Sequence, residues 1–250
     1  MSERDKYNKI TQPEGRHPVI GVLGGMGPEA TVDLMRRVIK ATPAQDDNDH
    51  VHMIIDNNPK VPSRIAALIE GTGESPLPTL CTMARRLESA GANILAMPCN
   101  TAHNYLADIR QAVVIPFLDM IELTALQVKR MELNHRRVGL LASTAVKQLG
   151  LYDKALANAD IQAVYPARQA ELMALIKAVK RGDTGADVRR EFIRIADQLL
   201  SHDSDLIVIA CTELSVLADS LDETAPVIDA LEVLAGEIVA FGRGLKQVEV

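Results

Sequence analysis

Two segments far apart in this chain have the same build, and they constrain the fold more than any other feature. The sequence NILAMPCNT spans residues 93–101 and DLIVIACTE spans residues 205–213, so each apolar run ends at a cysteine followed by polar residues. Each segment predicts a buried strand that ends at a polar turn. In an open α/β sheet, that turn is where ligands bind. We therefore expect Cys99 and Cys211 to face each other across one cleft, where two single-proton acid–base groups can invert a carbon centre.

Two more pairs of segments repeat in the same order, which predicts an internal duplication. VIGVLGG at 19–25 resembles VGLLAST at 138–144, and IPFLD at 115–119 resembles APVID at 225–229. The three pairs are separated by 118, 112 and 110 residues. We predict two lobes related by a pseudo-two-fold axis, with a cleft between them. The predicted divisions are a flexible tail at 1–17, a first lobe at 18–118 plus 226–250, and a second lobe at 119–225.

Short β-rich runs alternate with helical patterns along the chain, which is typical of parallel α/β domains. The predicted strands are 19–23, 52–56, 93–97, 113–117, 137–142, 162–165, 206–210 and 227–228. The predicted helices are 28–41, 77–90, 170–180, 187–201 and 231–246. The predicted fold class is α/β, with two pseudo-symmetric lobes that each hold a mainly parallel sheet flanked by helices, and an active site in the interlobe cleft.

Composition excludes several classes of function. The net charge is −6 with no long basic run, and tryptophan is absent, so neither nucleic-acid binding nor an aromatic sugar-binding surface is expected. No apolar run approaches the roughly 18 residues of a membrane helix. The polar N-terminus has no signal-peptide core, and three cysteines do not form a disulfide framework, so we expect a cytoplasmic protein. Without a CxxC or HExxH motif, no metal site is predicted.

Each cysteine has a structural and a chemical interpretation. A free cysteine is often a small buried hydrophobe, and this is the interpretation we favour for Cys81, which lies on an apolar helix face. Cys99 and Cys211 differ because they occupy matched strand ends in a duplicated chain. A thiol has an unperturbed pKa of about 8.5, and a helix N-terminus following each of these cysteines is expected to lower it.

The glycine-rich turn GGMG at 24–27 is not a dinucleotide-binding motif. It lacks the GxGxxG spacing, and no acidic ribose anchor follows about 20 residues later. Glycines between a strand and a helix either expose backbone N–H groups to an anion or simply form a tight turn. His103, four residues after Cys99, is explained as well by capping or packing as by an effect on the thiol, so no role is assigned to it.

Four motifs in order resemble the aspartate/glutamate racemase family: LGGMGPEAT at 23–31, NNPKVPSR at 57–64, PCNTAH at 98–103 and ACTEL at 210–214. The second of these resembles the aspartate-racemase branch. The resemblance implies two α/β lobes, a homodimer and an amino-acid substrate, with aspartate first and glutamate or a broader range next. It implies no cofactor, pyridoxal phosphate included. Cys99 and Cys211 would be the catalytic residues, one removing the α-proton and the other donating to the opposite face.

The resemblance also implies substrate-binding residues, and each has a structural alternative. Polar groups after a cysteine can cap a helix instead of binding a ligand, and Arg64 can be a surface arginine instead of a reader of a side-chain carboxylate. Glu213 can orient a thiol, bind an ammonium group or complement a helix dipole. The substrate-binding candidates are Met26, Arg64, Asn100, Thr101, Ser143, Thr144, Thr212 and Glu213.

One departure from the family pattern bears on the substrate. Relatives often carry a lysine in the region that follows Pro166, and there it helps to hold the substrate's side-chain carboxylate. Around 170–173 this sequence has no lysine, and the corresponding residue is Glu171 or Met173. Glu171 in the pocket would repel a second carboxylate, which favours a neutral or basic substrate side chain.

Three alternatives to an amino-acid racemase remain open. A related two-cysteine enzyme, such as a hydantoin racemase or a maleate isomerase, would use the same scaffold. An amino-acid sensor on an inactive scaffold would keep ligand affinity when either cysteine is replaced by serine. A redox sensor would form a reversible bridge between Cys99 and Cys211, although thiols that oppose each other across a substrate carbon lie too far apart to bridge without movement.

Overall fold

The computed structural model describes residues 17–157, 159–201, 204–222 and 224–245. The tail predicted at 1–17 lies outside the described residues except for its last position, and so does the end of the predicted first-lobe segment after 245. Within the described ranges the chain forms two four-stranded parallel sheets flanked by helices, which confirms the predicted fold class.

The two sheets have the same strand order. The first sheet has the order β2-β1-β3-β4 and the second has the order β6-β5-β7-β8. The strands are β1 (Ile20–Gly24), β2 (Met53–Asn57), β3 (Ile94–Ala96), β4 (Phe117–Leu118), β5 (Arg137–Ala142), β6 (Gln162–Val164), β7 (Leu206–Ala210) and β8 (Val227–Asp229). Every residue of β1, β3 and β7 is buried, as expected of parallel strands covered on both faces.

Helices connect the strands and supply the apolar cover for both sheets. They are α1 (Pro28–Ala41), α2 (Leu77–Ser89), α3 (Leu106–Gln111), α4 (Met120–Lys129), α5 (Thr144–Leu149), α6 (Leu151–Ala157), α7 (Gln169–Lys180), α8 (Ala186–Leu200), α9 (Thr212–Ser215) and α10 (Ala230–Gly242). Shorter turns lie at Asp47–Asp49, Ala66–Glu70, Thr101–Tyr105 and Ala218–Ser220. None of the helices in the described ranges is both long and apolar enough to cross a membrane.

Helices α4 and α10 are exchanged between the two lobes, because each follows a strand of one sheet and packs under the other sheet. Helix α4 follows β4 of the first sheet, yet Ile121 and Ala125 pack in the core under the second sheet. Helix α10 follows β8 of the second sheet, yet Leu234 and Ile238 pack in the core under the first sheet. Asp119 and Asp229 cap the two helices at equivalent positions, since each side chain accepts a backbone N–H from the first turn. The exchange makes the interface between the lobes part of both cores.

Two of the differences from the sequence prediction bear on the topology of the sheets. The predicted return to the first lobe at 226 is wrong for β8, because Val227 and Ile228 pair with β7 in the second sheet. The strand predicted at 113–117 begins later in the structure, because only Phe117 and Leu118 pair, as β4, with β3. Its earlier part leads out of α3, where the Val114 N–H donates to the Glu88 carboxylate at 2.7 Å and the Val114 side chain is 86% exposed.

Candidate active site

A crevice opens in each sheet where the strand order reverses. Strand β1 lies between β2 and β3, and β5 lies between β6 and β7, so the connections leaving β1 and β3, or β5 and β7, diverge at their carboxyl ends. Ligands bind at such positions in open α/β sheets. The two crevices meet in one cavity of about 40 Å³ between the lobes. Its lining residues are Met26, Ser63, Arg64, Ile65, Cys99, Asn100, Thr101, Ser143, Ile176, Lys180, Ala210, Cys211, Thr212 and Glu213.

The turn that carries Cys99 is fixed by His103. The Met120 N–H donates to His103 Nε2 at 3.2 Å, so the ring proton is on Nδ1, which donates to the Cys99 carbonyl at 2.9 Å. Burial lowers the pKa of His103, and the charge of Asp119 opposes this shift. The ring is therefore a neutral link that holds the Cys99 turn to the beginning of α4. This is the packing interpretation of His103 that the sequence left open.

The environment of Cys211 is the reverse of the one expected from its sequence. Burial raises the pKa of the Cys211 thiol well above its usual value, and the negative charge of Glu213 raises it further. The thiol donates to Glu213 Oε2 at 3.1 Å. The helix that follows, α9, has only four residues, so its N-terminus does not outweigh burial and a neighbouring carboxylate. Cys211 is accordingly held as a protonated thiol.

Several candidate side chains meet at the boundary between the lobes. The Thr101 and Ser143 hydroxyls are 3.2 Å apart, and the Thr212 hydroxyl donates to the Pro98 carbonyl at 3.2 Å. Ser143 also caps α5, because its Oγ accepts the Val146 N–H at 3.3 Å. Ser143 therefore caps a helix and lines the cavity at the same time.

The cavity carries two cationic side chains. The Arg64 guanidinium donates to the carbonyls of Pro62 and Met26 at 3.1 and 3.3 Å. Its Nε is buried and lacks a hydrogen-bond partner within the part of the chain that the structure describes. Lys180 Nζ lies 3.3 Å from Glu213 Oε1. Glu213 pairs with only one of the two cations, so the charged side chains of the lining carry a net positive charge.

The glycine-rich turn after β1 is tight at Gly25, its second residue. Gly25 has φ of +90°, and a Cβ on it would lie 2.3 Å from the Asn58 carbonyl carbon. Its N–H donates to the Thr31 hydroxyl at 2.9 Å, so this donor is used within the turn. Met26 is the residue of the turn that reaches the cavity.

Comparison with known proteins assigns the chain to a family. The model of the Asp/Glu/Hydantoin racemase family matches residues 23–238. The chain belongs to this family. It is therefore a racemase, and hence an isomerase, as the motifs predicted.

Individual relatives resemble the racemase over most of its length. The structure is similar to that of an aspartate racemase from Picrophilus torridus, with 33% identity, a TM-score of 0.80, and coverage of 90% of this chain and 94% of that one. The chain is 28% identical over 227 residues to the broad specificity amino-acid racemase RacX of Bacillus subtilis, covering 89% of this chain and 97% of the relative. A glutamate racemase, isoform RacE1 of Bacillus anthracis, shares the fold at 22% identity, with a TM-score of 0.64 and coverage of 89% and 80%.

Two candidate binding residues of the racemase do not line the cavity. The Glu171 carboxylate pairs with Arg194 and lies 3.0 Å from Arg168, so two arginines engage it and it does not face the cavity. Thr144 is also absent from the lining, and its N–H instead contacts Met173 Sδ at 3.3 Å. Both residues lie in the first turn of their helices, where neighbouring side chains engage them.

Lys180 is the charged residue of the cavity lining that the sequence analysis missed. The sequence analysis looked for a lysine at 170–173, which is too early in the chain. Helix α7 begins at Gln169, and only its later turns reach the cavity. Ile176 and Lys180, four residues apart on one helix face, both line the cavity. A helical projection from Met173 would have indicated this face. Cys81, by contrast, is half-buried and packs against the core beside α2, and it is not part of the lining.

Proposed function

We propose that this racemase inverts the α-carbon of an amino acid, with Cys99 and Cys211 as the two acid–base groups and without a cofactor. One observation carries the proposal. The two cysteines follow β3 and β7, which are equivalent strands in two sheets of the same order, and both line one cavity between the lobes. Equivalent positions related by a pseudo-two-fold axis present thiols to opposite faces of a carbon bound between them.

The environment of Cys211 supports a division of roles in one direction of the reaction. The Cys99 thiolate takes the α-proton and becomes a thiol, while the Cys211 thiol gives its proton to the opposite face and becomes a thiolate. Burial and, after it, the charge of Glu213 raise the pKa of Cys211 and keep it protonated beforehand. Proton exchange with solvent restores both starting forms. In the reverse direction Cys211 is the base and Cys99 is the acid.

The polar groups beside the two thiols support binding of the α-carboxylate. Asn100, Thr101 and Thr212 are buried or half-buried and line the cavity. As the α-proton leaves, negative charge moves onto the carboxylate oxygens, and fixed donors in a buried cleft stabilise that charge. We propose that these residues bind the α-carboxylate, with Ser143 beside them and Met26 in contact with the substrate.

Aspartate is the substrate we propose first. Arg64 and Lys180 provide two cations for a second carboxylate, which removes the reason to favour a neutral side chain. The similarity to an aspartate racemase points the same way. The similarity to a broad specificity amino-acid racemase makes glutamate and other amino acids the next candidates.

Exchange of the α-proton in D₂O tests the proposal. Purified, reduced protein is incubated with each enantiomer of an amino-acid panel without pyridoxal phosphate, and NMR and chiral chromatography follow deuterium at Cα and enantiomer interconversion. Both should occur with aspartate, and the variants Cys99→Ser and Cys211→Ser should each lose turnover. Cys81→Ser is the matched control and should retain it.

The alternatives have their own signatures in this experiment. Absence of exchange with every amino acid would refute the amino-acid racemase and direct the search to hydantoins, malonates and maleate. Serine variants that keep amino-acid affinity, in a wild type without turnover, would indicate a sensor. Reversible loss of both thiols on mild oxidation would indicate a redox sensor.

We also propose that the racemase acts in the cytoplasm as a homodimer. The sparse, unpaired cysteines support a reducing compartment, and the dimer follows from the family resemblance. Sedimentation of the purified protein tests the dimer, because a monomer of 27.2 kDa would be well separated from it.

A further inference from the structure

We infer that Tyr152 is a positioning residue that orients the side-chain amide of Asn100, so that the amide nitrogen donates to a ligand carboxylate in the cavity. Tyr152 is not part of the cavity lining and was not a candidate from its sequence. The inference deepens the proposed function and rests on it only in taking the substrate's carboxylate as the ligand that Asn100 binds.

The hydrogen bond between the two residues is buried and direct. The Tyr152 hydroxyl donates to Asn100 Oδ1 at 2.6 Å. Tyr152 is fully buried and Asn100 is 3% exposed. The other end of the amide, Nδ2, is also buried and has no hydrogen-bond partner among the residues that the structure describes. A buried donor without a partner is costly, and Asn100 lines the cavity, so a ligand there would satisfy it.

The phenol determines which end of the amide is free. Burial raises the pKa of Tyr152, so the hydroxyl keeps its proton and remains a donor throughout the neutral range. Thr124 is a second polar neighbour of the phenol; its hydroxyl proton goes to the Met120 carbonyl at 2.6 Å, whereas the phenol proton goes to Asn100 Oδ1. With Oδ1 held by the phenol, Nδ2 is directed away from it. A reversed amide would present oxygen to the ligand, and that oxygen would repel a carboxylate.

The contact crosses from one lobe to the other. Tyr152 lies on α6 of the second lobe, whereas Asn100 lies in the turn after β3 of the first lobe. The amide therefore has its binding orientation only when the lobes are as close as they are here. In this way Tyr152 makes carboxylate binding by the first lobe depend on the position of the second.

A double-mutant cycle on carboxylate binding tests the inference. The variants are Tyr152→Phe, Asn100→Ala and the combination, and the probe is succinate, a dicarboxylate without an α-amino group, titrated by calorimetry. Tyr152→Phe keeps the ring and its packing, and it should weaken succinate binding about tenfold, the change that corresponds to one ordinary hydrogen bond. In the Asn100→Ala background the same substitution should have no further effect. For the active enzyme, kcat/KM with aspartate should show the same non-additivity.

Two further variants serve as a control and as a second test of the inference. Tyr165→Phe removes another phenol, one that donates to Asp153 at 2.6 Å on the surface, and it should leave succinate binding unchanged. Asn100→Asp keeps an acceptor for Tyr152 but places a negative oxygen where Nδ2 was, so it should abolish succinate binding even if Tyr152→Phe does not fold.

Specific results would overturn the inference. It fails if Tyr152→Phe binds succinate like the wild type, if its effect adds in full to that of Asn100→Ala, or if Asn100→Asp retains binding. Failure of the wild type to bind succinate at millimolar concentration would also overturn it, because the free donor would then have no carboxylate. Succinate binding does not require proton abstraction, so a complete cycle in a protein without α-proton exchange would refute the racemase proposal alone.

Discussion

Replacing Arg37 by methionine should destabilise the fold by removing an ionic contact that joins the lobes. Arg37 lies on α1, with Nη1 2.9 Å from Asp229 Oδ2 and Nη2 donating to the Ser215 carbonyl at 2.9 Å. Its other carboxylate contacts are to Asp33 at 2.9 Å and Glu232 at 2.8 Å. Methionine keeps most of the apolar stem and removes the charge, so the variant tests the charge with little loss of packing.

The size of the effect follows from Asp229, which is the buried partner. Its side chain is 8% exposed, and it keeps two hydrogen bonds, from Ser215 Oγ at 2.7 Å and from the Leu231 N–H at 2.9 Å. Removing one partner of a buried ion pair costs about 3–5 kcal/mol. Because two donors remain on Asp229, we expect a loss of about 3 kcal/mol in the free energy of unfolding above neutral pH.

The loss of stability should become smaller as the pH falls. Burial raises the pKa of Asp229 in the folded protein, and the charge of Arg37 holds it down. A carboxyl group with a raised folded pKa contributes stability at low pH that is lost as the pH rises through that pKa. The Arg37→Met variant raises the pKa of Asp229 further, so its deficit is largest above that pKa and decreases once Asp229 is protonated.

Urea unfolding followed by circular dichroism, at about pH 8 and about pH 5, measures both quantities. The matched control is the double variant Arg37→Met/Asp229→Asn, which leaves no unpaired buried charge and should recover most of the loss. A deficit under about 1 kcal/mol, or one that is equal at the two pH values, would refute the reasoning.

Three further predictions concern the cleft and the turn beside it. Glu213→Gln should lower the pKa of Cys211, so iodoacetamide should alkylate that thiol faster near neutral pH; an unchanged rate by peptide mass spectrometry would contradict the role of the carboxylate. Lys180→Met should raise KM for aspartate about tenfold but not for alanine, and an equal change for both would exclude Lys180 as a reader of the side-chain carboxylate. Gly25→Ala should lower the free energy of unfolding by about 2 kcal/mol or more, because its Cβ would meet the Asn58 backbone at positive φ; a melting temperature like that of the wild type would contradict this.

The sequence was sufficient to predict those strands and turns that depend only on a short run of neighbouring residues. A continuous apolar run is buried on both faces wherever it lies in a parallel sheet, so β1, β5 and β7 were predicted almost to the residue. The turns after these strands were predicted for the same reason, and the strand order brought them to one cavity. Cys99 and Cys211 were the clearest case, because duplication fixes equivalent positions without any knowledge of contacts.

Distances between side chains on different elements were decided by the tertiary structure alone. Lys180 reaches the cavity because α7 runs back toward it, whereas Glu171 at the other end of the same helix is engaged by Arg194. Strand β8 pairs with β7 in the second sheet, whereas the helix that follows it, α10, packs in the core under the first sheet. The two contacts lie in different lobes, so the sequence pattern of this segment could not assign it to one of them.

Cys211 shows most clearly which properties follow from the sequence and which follow from the tertiary structure. The sequence by itself determined that a thiol would stand at the end of a buried strand in a two-lobed α/β protein, because that depends on the pattern of apolar residues. The direction of its pKa shift depends on how much solvent the closed lobes exclude and on where the Glu213 carboxylate points. Those quantities are set by packing across the interface between the lobes, and no local pattern encodes them.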